Sequence, residues 1–158
     1  MDAVVLTRLP DHPDVIRLNR DYLTEVVSRW YGRPAARHEI EQALADEPAS
    51  DLVAPSGHLA VIELDGDAVC LGGLRFIDAD TAELTKIYTA PRVRGRSLAS
   101  RILAHLEGVA AFRGRSLARL DTRSDLVEAC RLYESRGYRT VPPFSAAPYS
   151  DRWYAKDL

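Results

Sequence analysis

The sequence predicts an α/β (α+β) fold: a single domain over residues 1–158, with a mixed central sheet of about six to seven strands flanked by about four helices. Three observations carry this expectation. Apolar residues recur at helical spacing in two long stretches, while other segments are β-rich runs of a few residues. An Asp65-Gly66 dipeptide separates two such runs, as a tight hairpin turn requires. Residues 82–122 then read strand, helix, strand, a crossover that sets its two strands side by side and parallel.

The elements follow in order. "AVVLTRL" (3–9) is a short first strand. Asp11 is the candidate N-cap of the first helix, with Pro13 in its first turn, where a missing N–H costs little. Val15, Leu18, Tyr22, Val26 and Trp30 form its apolar stripe, and Gly32 and Pro34 break it. "RHEIEQALADE" (37–47) gives a shorter helix, and "PASDLVAPSG" a loop. "HLAVIELDGDAVCLGGLRFID" supplies the hairpin, "DADTA" a turn, and "AELTKIYTA" (82–90) a strand stopped by Pro91. A helix with Leu98, Ile102, Leu106 and Val109 on one face runs to about Arg113, ended by Gly114. "SLARLDT" (116–122) is a strand and "DLVEACRLYESRG" (125–137) a helix closed by Gly137. "YRTVPPF" and "RWYAKDL" are two final strands around a proline-containing loop. No repeat, linker or low-complexity tract divides the chain.

Composition narrows the function classes. The apolar share of 46% and charged share of 28% are those of a soluble globular chain. A net charge of −2 offers no bulk attraction to nucleic acid or an anionic membrane, so neither partner is expected and any anion site is local. Lys86 and Lys156 are the only lysines; the skew to arginine fits a GC-rich coding background better than phosphate recognition. Cys70 and Cys130 show neither metal-ligand spacing nor a disulfide framework. The N-terminus lacks a basic start before an apolar run, and no apolar stretch approaches the roughly 20 residues of a membrane span. A cytoplasmic location is therefore expected. His12, His38, His58 and His105 are scattered without forming a ligand pair, so no metal is expected.

"TAPRVRGRSLASRIL" (89–103) gathers Arg92, Arg94 and Arg96 around Gly95, just before an apolar stripe. A helix N-terminus carries unpaired N–H groups and partial positive charge, and a glycine-containing entry lets those donors converge on a phosphate. Ser97 and Ala99 are small enough to keep the first turn open, and Arg94 and Arg96 can add charge-assisted contacts. A solvated loop dominated by arginine is the alternative; the place at the carboxyl end of a strand favours a site. Neither G-x-G-x-x-G nor a P-loop Lys-Ser/Thr pair is present, which weighs against nucleotide-binding and kinase-like readings.

At "R-G-R-S-L-A" (94–99), preceded by "IYTAP" and followed by "RIL", the sequence resembles motif A of the GNAT superfamily of acetyl-CoA-dependent N-acetyltransferases. That motif reads Arg/Gln-x-x-Gly-x-Gly/Ala; Arg94 and Ala99 match its ends and Ser97 replaces its central glycine. "AELTKIYTAP" is similar to the family's fourth strand, "CRLYESRGY" (130–138), with Ala129 before it, to its A-x-x-L-Y-x-x-x-G-F/Y element, and "VPPF…YAKDL" to its closing strand pair. Residues 58–158 carry the resemblance; residues 1–57 share only the element order.

The resemblance implies acetyl-CoA as co-substrate, a primary amine of a small molecule or peptide as acceptor, direct transfer in a ternary complex, and is compatible with a homodimer. It implies that backbone groups at Arg94, Gly95, Arg96, Ser97, Leu98, Ala99 and Ser100 hold the cofactor's pyrophosphate, while Ile87, Tyr88 and Thr89 pair with its pantetheine arm. Tyr133 then falls where the family commonly places a tyrosine near the thioester sulfur. By spacing alone, with Leu126, Ala129 and Cys130, it reads as a core aromatic first, and the resemblance reverses that order. Glu83 is the candidate general base, or else a surface carboxylate paired with Lys86 or Arg75. Strict alternation puts Glu83, Thr85 and Ile87 on one face, and Leu84, Lys86 and Tyr88 on the other. Trp30, Tyr31, Arg33 and Arg37 border the acceptor region in such folds and suit an anionic acceptor such as a carboxylate-bearing amine; a solvated loop is the plainer alternative. Cys130 has no histidine near it in sequence to support a covalent acetyl-enzyme. A non-catalytic acyl-CoA-binding regulatory module on the same fold is the competing function.

Overall fold

A computed structural model describes residues 2–158; Met1, the first residue of the expected domain, lies outside the described residues. Its strands are β1 (Ala3–Thr7), β2 (Gly57–Leu64), β3 (Asp67–Phe76), β4 (Thr81–Thr89), β5 (Leu117–Thr122), β6 (Arg139–Thr140) and β7 (Arg152–Asp157). Its helices are α1 (Pro13–Tyr31), α2 (Arg37–Asp46), α3 (Leu98–Phe112) and α4 (Val127–Ser135). The strands form one sheet in the order β1-β2-β3-β4-β5-β7-β6. Among hydrogen-bonded neighbours only β4 and β5 run parallel, joined through the crossover helix α3.

Two faces of the sheet are covered. On one, Ile102, Leu103 and Leu106 of α3 are fully buried against Ile62, Leu74 and Leu84. Gly72 lets α3 lie directly on β3, because a Cβ there would stand 2.7 Å from Cγ1 of Ile102 and 2.9 Å from Cδ1 of Leu106. On the other face, Val15 and Leu18 of α1 pack with Leu52, Leu59, Val61 and Leu71. Each such side chain contributes about 1.5–3 kcal/mol by leaving water. A small satellite core of Leu23, Val27 and Ala43 joins α1 to α2.

Several expectations are corrected at the level of single residues. The N-cap of α1 is His12, not Asp11: Nδ1 of His12 accepts the Asp14 N–H at 3.1 Å, the bond a cap must make two residues into the helix. Trp30 ends the apolar stripe in an exposed position. "YRTVPPF" contributes just two residues of strand, because the prolines that follow have no N–H for a ladder.

The alternation expected along β4 also fails, for a definite reason. Lys86 has φ +57°, in the left-handed region, and the β3–β4 register slips between Leu71 and Gly73. One extra residue is thus inserted as a β-bulge. Ala82 and Leu84 face α3, and after the bulge Ile87 returns to that side. The Thr85 methyl and the Tyr88 ring point to the α1 side with Leu52, and Lys86 reaches the segment after α2 there.

Candidate active site

β4 and β5 pair over three registers only, Thr81 with Leu117, Ala82 with Ala118 and Glu83 with Arg119. The expected parallel neighbours therefore touch at their starts and part toward their carboxyl ends. The bulge at Lys86 bends β4 away, while β5 stays with β7 along its whole length. Between them opens a cavity of about 270 Å³, walled by Glu83–Ile87 of β4, Leu120–Thr122 of β5, and Tyr133 from α4.

Tyr133 and Glu83, far apart in sequence, line this one cavity. The Tyr133 ring sits among Tyr138 and Tyr154, at centroid distances of 6.0 and 5.9 Å, and its hydroxyl has no protein hydrogen-bond partner among the described residues. Burial, followed by the Cys130 and Asp121 charges, holds its phenol well above the ordinary value, so it keeps its proton at neutral pH. The core and cavity readings of this residue thus describe one position.

Glu83 accepts from Nε of Arg119 at 3.0 Å and lies 3.7 Å from Nη1 of Arg75. Of the two cations expected beside it, Arg75 is there and Lys86 is not; Arg119, its register partner on β5, is the third group. Burial raises its pKa, opposed by Arg119 and reinforced by Asp121.

Sequence reasoning gave three contributors no part in the site. Asp121 faces the cavity and its charge raises Tyr22, Glu47, Glu83 and Tyr133 alike. Alternation in "LARLDT", with Ala118, Leu120 and Thr122 buried, was the signal for its facing. Lys86 is 2% exposed and donates from Nζ to the Glu47 carbonyl at 2.8 Å; burial lowers its pKa to about 8. Arg123 borders the cavity beyond the end of β5.

The loop after β4 has the form its residues suggest. Pro91–Val93 make one 3-10 turn, Gly95 has φ +83° with open space where a Cβ would stand, and Ser97 is the N-cap of α3 at φ +62°. Ser97 therefore holds the backbone shape that glycine adopts without strain, at the motif's glycine position. Leu98 is buried beneath the turn, Ala99 is half-buried, and Ser100 accepts from Nη1 of Arg136 at 3.1 Å. Arg94 folds back, donating from Nε to the Thr89 carbonyl at 2.9 Å and from Nη2 to Glu25 at 2.9 Å. Arg92 pairs with Asp67, and Arg96 lies exposed on the loop. Tyr88 is buried on the α1 side, and the Thr89 hydroxyl stands 3.5 Å from Sγ of Cys70.

The residues at the break between α1 and α2 separate. Trp30 packs edge-on to Tyr149, a cavity residue, at 5.9 Å. Arg33 lies over Tyr31 and closes a bidentate pair on Glu39, pulling that carboxyl down to about 2, and Arg37 is exposed outside the cavity. The histidines are not all scattered: Nε2 of His58 lies 2.9 Å from Nε2 of His105, because β2 and α3 face each other there. Among the described residues no group of three or more His, Cys, Asp or Glu is placed to hold a metal ion, and no helix is long and apolar enough to cross a membrane. Cys130 is buried and donates to the Arg123 carbonyl at 3.4 Å.

The model of the acetyltransferase (GNAT) family matches residues 18–138, and the chain belongs to that family. It is 29% identical to the uncharacterized N-acetyltransferase YjgM of Escherichia coli strain K12, over 84% of this chain and 79% of that one. Among solved structures it is similar to a GNAT-family acetyltransferase of Staphylococcus aureus Mu50, with a TM-score of 0.80 at 13% identity over 99% of both chains. A GNAT-family acetyltransferase of Elizabethkingia anophelis with acetyl-CoA bound gives a TM-score of 0.68 at 14% identity, covering 99% of this chain and 98% of that one.

Proposed function

We propose that the protein transfers the acetyl group of acetyl-CoA to a primary amine of a small molecule or peptide, directly, within a ternary complex. The observation that carries this reading is the split between β4 and β5, whose cavity has both Tyr133 and Glu83 on its walls. In this reading the diphosphate lies on the amides of Arg94–Ser100, where α3 has N–H groups without intrahelical acceptors. The pantetheine arm runs along Ile87–Thr89, the part of β4 that has no β5 partner.

The chemistry then follows from the residues. The amine nitrogen bonds to the acetyl carbonyl carbon, and the C–S bond breaks as the tetrahedral intermediate collapses. Glu83, with its pKa raised by burial, takes the proton the nitrogen loses, through water. Tyr133, protonated at neutral pH, hydrogen-bonds to the departing sulfur and passes it a proton. The proton that Glu83 took up returns to the phenol through water, which restores both groups. The products are an N-acetylated amine and free CoA.

The test is thermal unfolding with acetyl-CoA, followed by CoA-thiol release over a library of amines. Saturating acetyl-CoA raises the melting temperature, and Tyr133→Phe lowers kcat about 10–100-fold while leaving cofactor affinity unchanged. No shift with acetyl-CoA overturns the reading. The ion pairs of Glu83 with Arg119 and Arg75 favour one competitor, an acyl-CoA-binding regulatory module without catalysis. Cofactor binding without transfer to any amine of the library selects it.

A further inference from the structure

Arg123 follows directly on the last residue of β5 and lines the cavity between β4 and β5. Its side chain is 9% exposed, and its guanidinium is used unevenly. Nε and Nη2 donate to the two oxygens of Asp125 at 2.9 and 2.7 Å, which closes one edge of the fork. The Trp30 ring covers its plane, with Cζ 4.7 Å from the ring centroid. Nη1 is buried with no acceptor among the described residues. Asp125 is 47% exposed, so that ion pair meets water on its outer side, whereas water does not reach Nη1. A buried charged donor left unpaired is costly, and a ligand that brings an acceptor recovers the cost.

The same cavity holds the complementary charge. Glu47, Glu83 and Asp121 line it. Lys86 and Arg75 line it too and offset the two glutamates, and Arg119 pairs with Glu83. The Asp121 carboxylate, which acts on both glutamates, has only the Ser145 and Ser150 hydroxyls as side-chain partners among the described residues. A cationic amine is drawn to the Asp121 carboxylate, and an anion to the buried, unpaired donor of Arg123. The cations first suspected of this role, Arg33 and Arg37, are committed to Glu39 or exposed outside the cavity.

We propose that the acceptor is a small amine that carries its own carboxylate, of the α-amino-acid type, with the carboxylate held on Nη1 of Arg123 and the amino group toward Glu83 and Asp121. The proposal rests on the acetyl-transfer reading for its chemistry. It stands apart from that reading in what it says of the cavity.

The test compares matched pairs, phenylalanine with phenylalaninamide and glycyl-phenylalanine with its amide, on the full chain. CoA-thiol release from acetyl-CoA gives kcat/KM, and melting temperature in the presence of CoA gives binding without turnover. Each acid is expected to exceed its amide by about ten-fold or more in kcat/KM, and to shift the melting temperature where the amide does not. Arg123→Gln, with folding checked by circular dichroism, brings the acid-to-amide ratio toward one through the KM of the acid. Equal performance of acid and amide in both readouts overturns the proposal, as does an unchanged ratio in a folded Arg123→Gln. Should that variant not fold, the wild-type pairs decide alone. An acid-selective melting shift without thiol release upholds the carboxylate site and removes the acetyl-transfer reading; thiol release from amines without acid selectivity does the reverse.

Discussion

The Lys86 ammonium donates to the main-chain carbonyl of Glu47 across 2.8 Å, tying the bulge of β4 to the segment that leaves α2. Burial lowers its pKa from 10.5 to about 8. The unfolded chain therefore binds the proton more tightly, and stability held back at neutral pH returns as pH rises from about 8 toward 10.5. The wild type should gain about 3 kcal/mol relative to Lys86→Met across that window, read by urea unfolding at a series of pH values. A difference independent of pH would show that the ammonium is not desolvated.

Ser97 holds a left-handed backbone at φ +62°, a conformation that costs a residue with a Cβ about 1 kcal/mol. Ser97→Gly should leave stability equal or raise it by up to about 1 kcal/mol, since the strain relieved is partly offset by entropy of the unfolded chain. Ser97→Val should lose more than about 1 kcal/mol and weaken acetyl-CoA binding, because the helix entry shifts. Melting temperatures with and without acetyl-CoA check both.

His58 and His105 share one Nε2–Nε2 hydrogen bond, which requires one ring to donate and the other to accept. Burial lowers both pKa values below 6.5, with the facing histidine adding to the effect on His58. The unfolded chain then takes up protons first, so stability complete above pH 6.5 is lost as pH falls through the lower folded-state values. The urea midpoint of the wild type should drop more steeply between about pH 7 and 5 than that of His58→Phe. Parallel slopes would separate the pair from acid sensitivity.

Glu107 on α3 accepts from the Tyr138 hydroxyl at 2.8 Å, Arg136 at 2.7 Å and Lys156 at 3.2 Å, so one carboxylate anchors α3 to the end of α4 and to β7. Glu107→Leu strands two cations and should cost about 2–3 kcal/mol; Glu107→Gln, which keeps an acceptor, should cost about 1 kcal/mol. Urea unfolding with an unchanged m-value measures both.

Periodicity and turn residues sufficed to read the element order and the glycine-containing entry of α3, because both are local. Asp65 and Gly66 take the positive φ values that their hairpin demands. What escaped was set by tertiary geometry. Nothing near Lys86 in sequence announces a bulge: that lysine has no glycine's freedom, and it is fixed in place by a carbonyl nearly forty residues upstream. It is the parting of β4 and β5 that puts Asp121 and Arg123 on a shared wall. The His58–His105 contact joins a strand to a helix across 47 positions, a separation that spacing rules do not reach.

The bulge at Lys86 also works as a parity switch within one strand. Were Lys86 instead pleated into β4 as an ordinary strand residue, everything downstream would trade sides: Ile87 would lose its seat beside Gly72 and Ile102, and the bulky ring of Tyr88 would be pushed into that same space. Loss of Lys86, by contrast, would make Thr85 and Ile87 neighbours on opposite faces, as pleating asks, and would leave the strand's second half facing as it does now.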